Sequence, residues 1–150
     1  MMTVKSIYLA GPFFDTRQLE RLRRVQATLA KNPTIGSIFV PMDESAEISE
    51  PEGSPAWRQK TYASDLNGIN SADLMVALYD YQAGEPDSGT MFEIGYAAAH
   101  QMPVVVYHEG PENVNLMIAE ALTYYTDTLK DLELLDFDDL PARPYTGKVI

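Results

Sequence analysis

The chain contains no cysteine, one tryptophan, two histidines and only 11 lysines and arginines in 150 residues. Each scarcity closes off a class of chemistry. Without cysteine there is neither a disulfide framework nor a thiolate metal site. His100 and His108 are too isolated to form a ligand pair one helical turn apart, so no metal is expected. No lysine stands between Lys60 and Lys130. The segment from Gly84 to Gly89 matches neither a dinucleotide fingerprint nor a phosphate-cradling loop with its lysine, which disfavours nucleoside-triphosphate chemistry. No apolar run is long enough to span a bilayer, and the start Met1-Met2-Thr3-Val4-Lys5 lacks the apolar stretch of a leader, so the expected compartment is the cytoplasm. Acidic residues outnumber basic ones 22 to 11, for a net charge of -11. That charge repels phosphate backbones and anionic membrane surfaces, so neither a nucleic-acid polymer nor a membrane is an expected partner. The length suits one domain over residues 1–150, large enough for a core of ordinary size.

What is present alternates between strand and helix patterns. Ile7-Tyr8-Leu9-Ala10 reads as a first strand ended by Gly11-Pro12, after which Asp15 or Thr16 caps a helix running to about Lys31. Leu19, Leu22, Val25 and Leu29 recur near helical spacing, and Glu20 with Arg24 reads as a solvent-face pair. Asn32-Pro33 stops that helix, and Ile38-Phe39-Val40 is a short second strand. From Asp43 to Pro55 the chain is acidic, rich in proline and serine and without apolar period, as in a loop. A second helix is predicted from Trp57 to about Ile69. Leu74-Met75-Val76-Ala77-Leu78-Tyr79 is too continuously apolar for a half-exposed strand, and Pro103 to Tyr107 repeats the pattern. Beyond Asn115 the signals weaken to a short helix near Leu116 to Leu122, a fifth strand near Tyr124 to Leu129, and an acidic tail. Continuously apolar strands alternating with helices imply a parallel α/β sheet covered on both faces.

In such sheets ligands sit beyond the carboxyl ends of the strands. This nominates the loops at Gly11-Pro12-Phe13, Asp80 to Gly89 and His108 to Asn115. The most informative is Asp87-Ser88-Gly89-Thr90-Met91-Phe92-Glu93-Ile94-Gly95-Tyr96, which follows a buried strand and opens a helix with two carboxylates. Glu93 has two readings: a capping box with Thr90, or a functional carboxylate whose ionised form the helix N-terminus favours, as a nucleophile requires. Gly89 and Gly95 allow close approach of backbone, and Asp87 adds a second acid. Asp65, in Asp65-Leu66-Asn67-Gly68-Ile69, belongs either to an Asn-Gly turn at a helix end or to the same crevice. Tyr8 is either a core residue with a satisfied hydroxyl or the group that orients a carboxylate. Asp73 reads as structural, beginning a strand.

Taken together, Ile7-Tyr8-Leu9-Ala10-Gly11, Trp57 to Tyr62, Asp65-Leu66-Asn67-Gly68-Ile69, Asp87-x-Gly89 with Glu93-Ile94-Gly95-Tyr96, and Asn115-Leu116-Met117 resemble the nucleoside 2-deoxyribosyltransferases over most of the chain. The resemblance implies a flavodoxin-like (Rossmann-like) sheet and a homohexamer built as a trimer of dimers. It also implies transfer of 2-deoxyribose between nucleobases without a metal or organic cofactor. By the same resemblance Glu93 would attack the anomeric carbon and form a covalent deoxyribosyl ester, and Tyr8 would orient it. Asp87 would hold the sugar hydroxyls, and Asp65 would contact the base and move its proton. Phe13 and Trp57 would wall the base, with Gly11 beside them, while Asn115 and Met117 would reach the site of an adjacent subunit.

The implied chemistry is that of a retaining glycosidase in which a base replaces water in the second step. A lid over Asp43 to Pro55 would then exclude water. Two departures stand out: Ser45 occupies the place where the family's lid commonly presents a glutamine, and the chain ends Gly147-Lys148-Val149-Ile150 where members often end in tyrosine, with Tyr145 nearby. The sequence leaves purine or pyrimidine preference open. Two other functions are compatible with the same sheet. One is a 2'-deoxynucleoside 5'-monophosphate N-hydrolase, against which Asp87 argues because it would repel the phosphate. The other is a non-catalytic nucleotide-sensing module.

Overall fold

The computed structural model describes residues 3–82 and 84–150. Met1 and Met2, read above as part of a start without a leader, and Ala83, in the loop after the third long strand, lie outside the described residues. Five parallel strands form one sheet in the order β2-β1-β3-β6-β7: β1 Lys5–Ala10, β2 Ile35–Phe39, β3 Leu74–Leu78, β6 Val104–Tyr107 and β7 Tyr124–Thr126. The helices are α1 Thr16–Ala30, α2 Pro41–Ser45, α3 Pro55–Ser71, α4 Ser88–Ala99, α5 Leu116–Ala121 and α6 Leu129–Leu134. This is the expected flavodoxin-like α/β arrangement. No helix among the described residues is long and apolar enough to cross a membrane.

Strand alternation builds two cores. Ile7 and Leu9 of β1 point to the face covered by Leu22, Val25 and Leu29 of α1 and Leu132 of α6. Tyr8 and Ala10 point to the opposite face, against Ile69 of α3, Ile94 of α4 and Ile118 of α5. Side chains one residue apart on a strand face opposite ways, so the register that buries Ile7 also aims Tyr8 at α4. All five residues of β3 are buried, as a central strand covered on both faces requires. The chain leaves β1 for one face and β3 for the other, and these strands are neighbours, so a crevice opens beyond their carboxyl ends.

Several local expectations are revised. The helix predicted from Trp57 starts at Pro55 because Ser54 caps it, accepting from the Trp57 N–H at 3.2 Å, with proline in the first turn. It also runs through Asn67-Gly68, so that pair forms no turn. Gly68 instead makes room for a ring: a Cβ there would lie 2.7 Å from carbons of Phe39. The expected Asp43–Pro55 loop is helical to Ser45, with Pro41 in the first turn of α2. The second strand spans Ile35–Phe39, drawn toward its start by pairing with β1. Leu19 is 37% exposed, because α1 buries Gln18, Arg21, Leu22, Val25 and Leu29 instead, and Arg24 pairs with Glu109 rather than Glu20.

The acidic tail contains α6, capped by Thr128, and buries Leu132, Leu135 and Phe137. A two-strand hairpin, β4 Tyr81–Gln82 with β5 Glu85–Pro86, sits between β3 and α4, with Gly84 at φ +85°. That angle is in the region where only glycine is unstrained. Asp73 is structural as read, its Oδ2 accepting from the Ser6 N–H and hydroxyl.

Candidate active site

The crevice between β1 and β3 is a cavity of about 590 Å³ whose walls include Gly11, Phe13, Trp57, Asp65, Asp87 and Glu93. Six of the nine residues nominated from the sequence therefore share one space, and Tyr8 reaches it through Glu93. Helix α2 closes one side with Met42 and Ser45, and Phe14 packs beside Phe13 with ring centroids 5.1 Å apart.

Glu93 is positioned from two directions. Its helix is capped by Asp87, whose Oδ2 accepts from the Thr90 N–H at 2.8 Å and the Thr90 hydroxyl at 2.6 Å. The capping box with Thr90 is thus not formed, and the Glu93 side chain is free to turn into the crevice. There Glu93 Oε2 accepts a short hydrogen bond from the hydroxyl of Tyr8, a residue fully buried in the α3/α4 core. The ring of Tyr8 is core, stacked on Phe39 at 5.3 Å, and its hydroxyl donates to the Glu93 carboxylate.

The electrostatics reverse one expectation. The helix N-terminus was expected to favour ionised Glu93. Burial instead pushes its carboxyl up to about 7, the nearby Asp65 and Asp87 add to the rise, and the Tyr8 hydrogen bond works against it. Desolvation of a buried charge outweighs the partial charge of a helix end. Burial likewise raises Asp65 to about 6. Tyr8 is pushed upward by burial and by Glu93, so it stays a donor. Among the described residues none of the three carboxylates is ion-paired. Among the described residues, two buried polar atoms on cavity-lining residues of α3, Asp65 Oδ1 and Thr61 Oγ1, have no hydrogen-bond partner.

The remaining nominated residues lie elsewhere. Asn115 caps α5 through the Met117 N–H at 2.8 Å, and Met117 is 74% exposed; neither lines the cavity of its own chain. Tyr145 does not enter it either, because its hydroxyl donates to the Lys148 carbonyl at 2.8 Å and its ring packs on Tyr125. Gly11 is explained by packing: a Cβ there would lie 3.0 Å from the Leu78 side chain. Gly95 faces open space on α4, with nothing near it. Thr61 was missed from the sequence, although Trp57, Thr61 and Asp65 lie at successive four-residue steps on α3 and so share a face.

The crevice thus holds a tyrosine-bonded glutamate beside two further acids. The family model described as nucleoside 2-deoxyribosyltransferase matches residues 7–128. The chain belongs to this family. A nucleoside deoxyribosyltransferase of Limosilactobacillus fermentum is 32% identical over 144 residues, covering 88% of this chain and 84% of that protein. One from Lactobacillus leichmannii is 30% identical over 77% of this chain and 80% of its own length. The solved 2-deoxyribosyltransferase of Bacillus psychrosaccharolyticus superposes with a TM-score of 0.85 at 32% identity, covering 93% of this chain and 98% of the other. The order of motifs that suggested nucleoside 2-deoxyribosyltransferases in the sequence thus agrees with all three comparisons, and the relatives' names place the chain among transferases.

Proposed function

We propose that this chain exchanges the nucleobase of 2'-deoxyribonucleosides through a deoxyribosyl ester on Glu93, with net retention at C1'. The observation that carries this reading is the convergence of Glu93, bonded to Tyr8, with Asp65 and Asp87 in one cavity whose lining holds no lysine or arginine and which is large enough for a small ligand. Because Tyr8 occupies Oε2, Oε1 is the oxygen presented for attack. In the first step Oε1 bonds to C1', the N-glycosidic bond breaks with its electron pair going to the base, and protonated Asp65 supplies the leaving base with a proton. In the second step an incoming base attacks C1', Glu93 leaves as carboxylate, and Asp65 takes up the proton the new base sheds. Two inversions give retention. Proton transfer of this kind contributes about a hundredfold to ten-thousandfold.

Asp87 holds the sugar hydroxyls with Oδ1, since Oδ2 is engaged in capping α4. Phe13 and Trp57 wall the base, and no step calls for a metal or cofactor. The homohexamer with shared sites, in which Asn115 and Met117 complete a neighbour's site, is part of the same proposal; the exposure of Met117 and the position of both residues outside the cavity of their own chain support it.

Incubation with deoxyinosine and adenine tests the reaction, with deoxyadenosine as the expected product. Acid quenching and peptide mapping should find deoxyribose on Glu93. Exchange that proceeds with the label on another residue removes Glu93 as nucleophile. Release of free sugar from a deoxynucleoside monophosphate without base exchange would favour the N-hydrolase, and tight binding without turnover, unchanged in Glu93→Ala, would favour a sensing module.

A further inference from the structure

Thr61 and Asp65, one helical turn apart on α3, both line the cavity, and among the described residues the buried atoms Thr61 Oγ1 and Asp65 Oδ1 have no hydrogen-bond partner. Buried hydroxyls and carboxylates are almost always paired inside a folded chain, so a pair of orphans on residues that line a cavity marks a place where a ligand can supply the partners. Trp57 stands one turn before Thr61 on the same helix and lines the same cavity. An aromatic face followed by a polar edge is the arrangement that stacks a planar base and reads its rim. The other hydroxyl at this end is already engaged: Ser45 Oγ donates to the Met42 carbonyl at 3.1 Å within α2.

We propose that the Thr61 hydroxyl is a base-recognising group that bonds the exocyclic amino or oxo substituent of the nucleobase, beside Asp65. The inference rests on the reading that this cavity takes a nucleobase. A hydroxyl rotates to donate or to accept, so one threonine bonds an oxo group as donor and an amino group as acceptor. The structure therefore assigns Thr61 a role in holding substituted bases without discriminating amino from oxo. Asp65, raised to about 6, is available in protonated and ionised forms near neutral pH, so it adapts to either pattern in the same way.

Binding of adenine, hypoxanthine and unsubstituted purine, followed by quenching of Trp57, the single tryptophan, tests this without relying on turnover. Thr61→Val removes the hydroxyl at nearly constant shape. It should weaken adenine and hypoxanthine about tenfold, the scale of one lost hydrogen bond in a desolvated site, and leave unsubstituted purine little changed. Thr61→Ser should recover most of the loss. Equal weakening of all three bases, or no weakening of any, overturns the proposal. Parallel transfer assays separate the two readings. Binding with the predicted pattern but no exchange removes the transferase mechanism and keeps Thr61 as base reader; exchange with no Thr61 effect does the reverse; and a chain that binds none of the three bases sinks both.

Discussion

Two clusters of carboxylates stand at the carboxyl end of the same sheet, and they are treated in opposite ways. On the α1 face, Asp80 and Glu109 are neutralised: Arg21 bridges both, Arg17 reaches Asp80 at 3.4 Å, and Arg24 reaches Glu109. There burial tends to raise the Glu109 carboxyl, but hydrogen bonds from Tyr107 and Arg24, with both arginines' charge, hold it below the ordinary range. On the α4 face, Glu93 and Asp65 have no cation, and burial raises both. Neither lysine nor arginine occurs from residue 61 to 129, the stretch that carries Asp65, Asp87 and Glu93. Acid at this end of the sheet therefore serves as a fastener where arginine accompanies it. Where arginine is withheld, it leaves groups able to exchange protons near neutrality.

The contrast is sharpest if each cluster is broken in turn. Glu93→Ala is expected to fold and to lose base exchange by roughly a thousandfold or more, the scale of removing a covalent nucleophile; chromatography of the deoxyinosine and adenine reaction reads this directly. Arg21→Ala should do the opposite. It leaves Asp80, 6% exposed, with only the longer contact to Arg17 at 3.4 Å, and should cost about 3 kcal/mol in urea unfolding, while turnover of the folded fraction stays close to that of the parent. A large catalytic loss with unchanged stability in this variant would erase the distinction between the clusters.

Tyr8→Phe falls between these extremes. Losing a hydrogen bond to a charged group should lower exchange about 10- to 100-fold. In the parent, activity should fall on the acid side as Glu93 takes up a proton below about 7, and on the alkaline side as Asp65 loses one above about 6. The Tyr8 bond lowers Glu93, so its removal should move the acid limb to higher pH. An unmoved limb would detach that limb from Glu93.

Stability should show the cost of the uncompensated cluster. Glu93 has a folded value raised from 4.5 to about 7. The folded state thus holds its proton more tightly than the unfolded chain, and the resulting stability is present below 4.5 and lost as pH rises through about 7. Glu93→Gln should match the parent at pH 4 and exceed it by about 3 kcal/mol at pH 8 in denaturant titrations. Asp87→Ala carries the smallest effect, about 1 kcal/mol from the lost cap of α4, together with a raised KM for the nucleoside. A stability loss without a KM change would confine Asp87 to its capping role.

Much of this was legible along the chain, and the misses share a cause. The buried strands announced themselves because a central parallel strand is apolar on both faces. The Asp87 to Glu93 segment was legible because a glycine-broken loop entering a helix is a local pattern. The hairpin at Tyr81–Pro86 and helix α6 were not, since two-residue strands and a six-residue acidic helix carry too little periodicity, and both depend on what they pack against. Thr61 escaped because a threonine inside a helix looks like any other until the cavity shows that its hydroxyl has no partner.

Residue order alone fixed the alternation of strands and helices, the cation-free stretch and the phase that turns Tyr8 away from Ile7, because these follow from covalent geometry and local pattern. Only the folded chain decided which acids are fastened and which are left to titrate. That depends on the distance to an arginine or a tyrosine 59 to 85 positions away in sequence, as with Arg21 and Asp80 or Tyr8 and Glu93, and on how much water remains around each carboxylate. Such quantities come into being when the sheet closes and the helices dock on it.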